Sequence, residues 1–108
     1  MVLLKSFRDV IDLSIVDATG ENAFHRVVRR DLIDVMQVMF NMNDSLLNVG
    51  NMFGNTPLHH AALNNKRSVE WLLNNGADAN IQNNRNETPD EVTDDQDIEQ
   101  LIRKYQNK

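Results

Sequence analysis

The sequence predicts an all-α protein, built as a solenoid of stacked helix-turn-helix units with β-hairpin loops between them. The first observation is a strong helix start at Thr56-Pro57, because threonine caps a helix N-terminus and proline suits the first helical position. The second is recurrence: this dipeptide returns 32 residues later as Thr88-Pro89, and His25 returns 34 residues later as His59. A period of about 33 residues is typical of a repeat stack.

The middle unit, residues 54–85, is the most regular. Ala61 and Ala62 in its first helix are small enough for a neighbouring helix pair to approach closely. A second helix is predicted by the apolar stripe of Val69, Trp71, Leu72 and Leu73. Gly76 then ends this helix, since glycine adopts the left-handed backbone of a C-terminal cap. Residues 77–87 are rich in Asn and Asp and predict an extended loop or hairpin.

The preceding unit, residues 20–53, is more degenerate. It keeps the glycine and the histidine of the middle unit, but Asn22 and Ala23 replace Thr-Pro at the helix start. A second helix over roughly Ile33–Met42 is predicted by the apolar residues Ile33, Val35, Met36, Val38, Met39 and Phe40. The sequence therefore predicts two complete helix pairs in succession.

An N-terminal half unit, residues 1–19, is expected ahead of these repeats. Residues 9–20 have the character of the hairpin that precedes a repeat. The helix before that hairpin would be closed by Leu3, Leu4 and Phe7. Because the first helix of this unit is missing, these apolar side chains should stay incompletely covered. Such a face favours self-association, domain swapping or docking to the rest of a longer protein.

Residues 86–108 are predicted to form a C-terminal capping unit. It begins like a repeat at Thr88, but acidic residues stand where core side chains would sit: Asp90, Glu91, Asp94 and Asp95. We expect these carboxylates to be solvated and to favour a helix N-terminus through its dipole. A last helix closes the stack with the stripe Ile98, Leu101, Ile102 and Tyr105.

Two stretches of sequence carry a family resemblance. Residues 54–65 read GNTPLHHAALNN, and residues 74–89 read NNGADANIQNNRNETP. Together they resemble one full ankyrin repeat, and the resemblance extends over essentially the whole chain. It implies a scaffold that binds other proteins as an adaptor or regulator and is not an enzyme.

The resemblance also implies roles for two histidines and two turns. In ankyrin repeats the motif histidine hydrogen-bonds to the backbone of the neighbouring hairpin, which implies structural roles for His25 and His59. The family consensus has glycine where this chain has Asp31 and Asn43. Because asparagine tolerates left-handed backbone better than aspartate, we expect such a turn more readily at Asn43 than at Asp31.

Met52 and Phe53 are the sharpest candidates for partner contact. They correspond to positions on the projecting hairpin, where ankyrin proteins vary their sequence to select partners. An exposed aromatic side chain is costly to leave in water and serves as an anchor once a partner covers it. The alternative is that this ring folds back onto an adjacent hairpin and stiffens it, near Ile15, Val16 or Ile81.

The family's other variable positions lie on the same face. In the second repeat they correspond to Asn55, His60, Leu63 and Asn64. Before the first repeat they correspond to Ala18, Thr19 and Glu21. Arg26, Arg29 and Arg30 are expected to line the same concave groove and to pair with an acidic segment of the partner, since arginine is frequent at binding hot spots. The alternative for these arginines is a solvated surface.

Composition and motifs argue against other functions. The chain has 108 residues, a formal net charge of −5 and no cysteine, which excludes a disulfide framework and a thiolate zinc site. Nucleic-acid binding is not expected, because an acidic chain lacks the basic footprint. No histidine or carboxylate spacing matches a metal site, and no nucleophile stands beside a base. We therefore expect no metal, no cofactor and no catalytic residue.

The sequence also bears on compartment. Residues 1–16 are too charged for a signal peptide, and no apolar run approaches the length of a membrane span. The cytoplasm or the nucleus is therefore expected. Two functions of different classes stay open: recognition of a protein through hairpin tips and the concave helical face, or assembly through the incomplete N-terminal unit.

Overall fold

Five α-helices and two 3-10 helices follow one another along residues 16–63 and 65–106, the parts of the chain that the computed structural model describes. The α-helices are α1 (Ala23–Arg29), α2 (Ile33–Met42), α3 (Pro57–Ala62), α4 (Lys66–Asn74) and α5 (Gln96–Gln106). The 3-10 helices are Asp44–Asn48 and Pro89–Glu91. Within these described ranges there is no β-strand, so the all-α class is confirmed and the connecting hairpins are turns.

A capping box opens each of the first two units. The Asn22 side chain accepts a hydrogen bond from the His25 amide at 2.9 Å, and His25 Nδ1 accepts one from the Asn22 amide at 3.1 Å. Thr56 and His59 repeat this exchange. Pro57 is the first residue of α3, which confirms the predicted helix start. The exchange satisfies amides that a helix N-terminus would otherwise leave unpaired.

The helices stack in two layers. Helices α1 and α3 pack against each other and lead to the second 3-10 helix, while α2, α4 and α5 form the other layer. The largest buried apolar side chains between the layers are Phe24, Met36, Leu58, Leu72, Ile98 and Ile102. Ala61 and Ala62 are fully buried, as their small size predicted. Removing this apolar surface from water is the main stabilising contribution to the stack.

Three equivalent turns project from the stack at residues 17–21, 51–55 and 83–87. In each, the amide of the first residue donates to the carbonyl of the fifth. The side-chain oxygen of the first residue also accepts from the amides of the third and fifth. That first residue is Asp17, Asn51 or Asn83. Asp and Asn suit this position because their short side chains reach the backbone two residues on.

The turns are also joined to one another. The Met52 amide donates to the Thr19 carbonyl at 2.9 Å, and the Asn84 amide donates to the Phe53 carbonyl at 2.9 Å. These bonds occupy equivalent places in successive units. Each projecting turn, or tip, is therefore held by hydrogen bonds to the neighbouring tip as well as by those within itself. The tips consequently form one continuous row along the stack.

The expectation for the two turns of the first repeat was wrong. Asp31 adopts left-handed backbone with φ of 57°, whereas Asn43 is extended with φ of −157°. Asp31 Oδ1 accepts a hydrogen bond from the Ser68 hydroxyl in the next unit, and Arg67 lies 4.0 Å from the same carboxylate. These tertiary contacts stabilise a conformation that the intrinsic preference of aspartate disfavours.

Glu91, Asp94 and Asp95 of the C-terminal unit are exposed, as expected for a solvated cap, but Asp90 is not. The Thr-Pro start of this unit yields one 3-10 turn, and Asp90 within that turn is buried, with Arg103 Nε 3.2 Å from its Oδ2. Burial alone would raise the pKa of Asp90, but hydrogen bonds from Thr88, Gln106 and Arg103 outweigh it and lower the pKa. Asp95 accepts from the Asp97 amide at 2.8 Å and caps α5.

Two features of the prediction lie outside the described residues. Leu3, Leu4 and Phe7 of the N-terminal half unit fall among residues 1–15, and Asn64 falls between the two described ranges. Gly76, in contrast, is described and has φ of 97°, which confirms the left-handed end predicted for α4. In residues 16–63 and 65–106, no helix has the length and apolar character needed to cross a membrane.

Candidate functional site

A groove of about 580 Å³ runs between the row of tips and α3. The tips contribute Phe53, Asn84 and Arg85 to its lining. Helix α3 and the residue after it contribute His59, His60 and Leu63. The C-terminal unit contributes Glu87, Glu91 and Val92. The volume lies within the range of roughly 300–1,000 Å³ that is usual for binding pockets.

Phe53 is held by its backbone and free at its side chain. Its amide donates to Asn51 Oδ1 at 2.9 Å, and its carbonyl accepts from the Asn84 amide. The residue is nevertheless 54% exposed, and the neighbouring Met52 is 56% exposed. Phe53 therefore presents its ring to the groove and to solvent. A large apolar side chain on a fixed backbone loses little conformational entropy when a partner covers it.

Leu63 and Asn55 complete the part of the groove that the sequence anticipated. Leu63, just after α3, is 59% exposed. Asn55 lies at the base of the second tip, and its Oδ1 accepts a hydrogen bond from Asn83 Nδ2 at 2.9 Å. Leu63 and Phe53 thus place two exposed apolar side chains on one groove.

His60 lines the groove but offers little surface to a partner. It is only 9% exposed, and its Nε2 lies 3.5 Å from Glu21 Oε2 and 3.4 Å from Asn51 Nδ2. Its ring meets the His25 ring edge-on, with centroids 5.4 Å apart. Burial, together with the nearby His25, lowers the pKa of His60 to about 4. This histidine is therefore neutral at physiological pH and serves mainly to join units.

His25 and His59 have the structural role that the resemblance implied. His25 Nε2 lies 2.8 Å from the Val49 carbonyl, and His59 Nε2 lies 2.9 Å from the Glu87 carbonyl. Because Nδ1 of each ring accepts the helix-cap amide, Nε2 carries the proton and donates to the carbonyl. Burial lowers the pKa of both side chains, which keeps them neutral.

The three arginines do not lie on the groove, contrary to expectation. Together with Asp17 they line a separate cavity of about 400 Å³. Arg26 pairs with Asp17 at 2.6 Å and Arg29 pairs with Glu21 at 2.7 Å. The Arg26 hydrogen bond holds the pKa of Asp17 well below its usual range. Arg30 is exposed and makes no ion pair with the residues that the structure describes.

The groove also contains residues that sequence reasoning missed. Arg85, Glu87, Glu91 and Val92 belong to the segment that was interpreted as loop and solvated cap. A signal for them was available in the 32-residue offset, which relates Arg85 to Phe53 and Glu91 to His59. Applying that offset to the predicted contacts would have placed the C-terminal unit on the same face.

The described residues hold no group of three or more His, Cys, Asp or Glu side chains that could bind a metal ion. Comparison with known families gives a match over most of the chain. The family model for ankyrin repeats, in three copies, matches residues 2–83. The matched segment includes the first two tips and both complete helix pairs.

Proposed function

Because the chain belongs to the ankyrin repeat family, whose members generally act as protein-protein interaction modules and are typically not enzymes, we propose that it binds a partner protein through its groove. The observation that supports this proposal is the convergence of Phe53 and Leu63, each more than half exposed, on one groove beside a fixed row of tips. In this proposal the chain is an adaptor or regulator that acts in the cytoplasm or nucleus.

Phe53 is the proposed anchor. Covering an exposed aromatic or aliphatic side chain contributes about 1.5–3 kcal/mol of apolar transfer free energy. Met52 stands beside it on the tip, while Leu63 lies on the α3 side, so a partner can contact the tips and the concave face together. Asn55, which also lines the groove, would add a polar contact.

We predict that Phe53→Ala reduces partner binding by at least about tenfold, a loss of about 1.4 kcal/mol. The fold should be unaffected, because the backbone bonds of this residue do not depend on its ring. The measurement is photocrosslinking in cell extract with a photoreactive analogue in place of Phe53. Proteins that crosslink there are then identified, and their affinities for wild type and Phe53→Ala are compared.

Val38 provides the matched control. It is 58% exposed and apolar like Phe53, but it lies on α2, away from the groove. The same photoreactive analogue at position 38 should not yield the same partner, and Val38→Ala should bind as wild type does. Equal affinities of wild type and Phe53→Ala for the crosslinked protein would refute the proposed anchor.

A contact between the arginines and an acidic partner segment stays a prediction. Arg26 and Arg29 already have carboxylate partners on this chain, which leaves Arg30 as the more available cation. Arg30→Ala in the same affinity measurement tests it. The alternative of assembly through the N-terminal half unit is tested by the mass of the chain in solution, which should stay monomeric over a range of concentrations if recognition is the function.

A further inference from the structure

The charges around the groove are distributed unequally. Phe53 and Leu63 form its apolar part, with Val92 beside the acidic part formed by Glu87 and Glu91. Among the described residues that line the groove, Arg85 is the one with a positive charge. Two carboxylates therefore stand against one guanidinium. The groove is therefore both apolar and net negative.

Neither carboxylate of the acidic part is neutralised by the rest of the described chain. Glu87 accepts a hydrogen bond at Oε1 from Asn83 Nδ2, and Glu91 accepts one at Oε1 from the Thr88 amide. Within residues 16–63 and 65–106, the second oxygen of each accepts no hydrogen bond, and neither residue forms an ion pair. A carboxylate oxygen can accept two hydrogen bonds, so both groups retain capacity for a donor.

We infer that the groove binds a peptide segment of the partner in which a lysine or arginine stands close to a large apolar side chain. The apolar side chain would lie between Phe53 and Leu63, and the cation would reach Glu87 and Glu91. This inference rests on the proposed function, and it names the chemistry of the partner. Charge complementarity also accelerates association, because opposite charges steer the encounter.

An acidic segment fits this groove less well. It would face two unpaired carboxylates, and like charges brought together oppose binding. In the cavity lined by the arginines, Arg26 and Arg29 are engaged by Asp17 and Glu21, so an acidic segment there would have to replace existing ion pairs at two of the three arginines. The groove and the arginine cavity therefore differ in the partners they favour.

The test is a selection of phage-displayed random peptides on the 108-residue chain. The enriched sequences should combine lysine or arginine with an aromatic or aliphatic residue. Affinities of the best peptide are then measured for wild type and for a Glu87→Gln, Glu91→Gln double variant. We expect an approximately tenfold weaker affinity, since each partly exposed ion pair contributes up to a few-fold. The wild-type affinity should also fall at high salt, because salt screens exposed pairs.

The double variant should fold normally, since a glutamine Oε1 can accept the bonds that Thr88 and Asn83 donate, and glutamine serves in a capping box as glutamate does. The charge-matched control is Asp34→Asn with Glu70→Gln, two exposed positions on α2 and α4 that do not line the groove. This control should bind as wild type does.

The outcomes separate the two proposals. Enrichment of acidic or uncharged peptides, or an unchanged affinity in the double variant, would overturn the inference alone if Phe53→Ala still weakened binding by at least about tenfold. Peptides that bind equally to wild type and Phe53→Ala, or a selection that enriches nothing over a blank support, would overturn the proposed groove and the inference together.

Discussion

Acidification from about pH 7.5 to about pH 5 is expected to destabilise the fold strongly through its three histidines. Burial is the main cause that lowers the pKa of His25, His59 and His60 in the folded chain from the ordinary value of 6.5. Below pH 6.5 the unfolded chain therefore binds protons that the folded chain does not. The stability that the neutral histidines contribute is fully present above pH 6.5. It is lost as the pH falls toward their lowered pKa values in the folded chain.

The hydrogen bonds of His25 and His59 also predict that protonation destabilises the fold. Nδ1 of His25 and of His59 accepts the amide of a helix cap, while Nε2 lies against a backbone carbonyl. A second proton on either ring would have to occupy Nδ1 and would face the donor N–H. Protonation therefore opposes the capping boxes that begin α1 and α3.

The expected loss in the free energy of unfolding is large relative to the total stability of a domain. With a pKa of about 4, His60 alone accounts for about 2 kcal/mol at pH 5. His25 and His59 add losses of the same sign, against a typical domain stability of about 5–15 kcal/mol. Urea unfolding followed by far-UV circular dichroism at the two pH values measures the change. Asp17 and Asp90 do not contribute to the change between these two pH values, because their pKa values are lowered and both carboxylates stay charged.

A His60→Gln variant isolates one contribution. Glutamine cannot titrate, so the difference in unfolding free energy between the two pH values should shrink by about 2 kcal/mol relative to wild type. His60 is the suitable choice, because it takes part in neither capping box. The same pH dependence in wild type and variant would show that the ring of His60 is not held neutral in the folded state.

The fold was largely predictable because its signals are local. The Thr-Pro start of α3, the alanines in it and the left-handed Gly76 after α4 each act within a few residues. What could not be predicted depends on residues distant in sequence. Asp31 is left-handed because Ser68, 37 residues later, bonds to its carboxylate. Asp90 is buried because Arg103 and the last helix return to it.

For the candidate site, too, the sequence predicted some features and not others. Phe53 and Leu63 were predicted as exposed contacts, since their positions follow from the repeat register, and the structure leaves both exposed. The ion pairs of Arg26 and Arg29 could not be read from spacing, because a turn brings Asp17 and Glu21 back over α1. The sequence shows which residues are charged. Whether a charged side chain is available to a binding partner depends on the ion pairs that the fold gives it.

The second large effect is expected at the tip that carries Phe53. Gly54→Ala should lower the free energy of unfolding by about 3 kcal/mol, because φ is 78° and left-handed backbone costs an alanine about 1–2 kcal/mol. A β-carbon there would also stand 2.9 Å from the Asn84 amide nitrogen and 3.1 Å from the Asn83 Cα. The tips must therefore separate, which weakens the bond from the Asn84 amide to the Phe53 carbonyl. Urea unfolding measures the loss.

Gly76→Ala distinguishes strain from crowding. Gly76 has a similar left-handed backbone, with φ of 97°, but the nearest atom to an added β-carbon is Leu47 Cδ2 at 3.9 Å. Only the conformational cost applies, so this variant should lose about 1–2 kcal/mol. Gly54→Ala should additionally weaken partner binding, although Gly54 does not line the groove, because it displaces the backbone that presents Phe53. Equal losses of stability in the two variants, with binding unchanged, would mean that contact between the tips does not hold the row together.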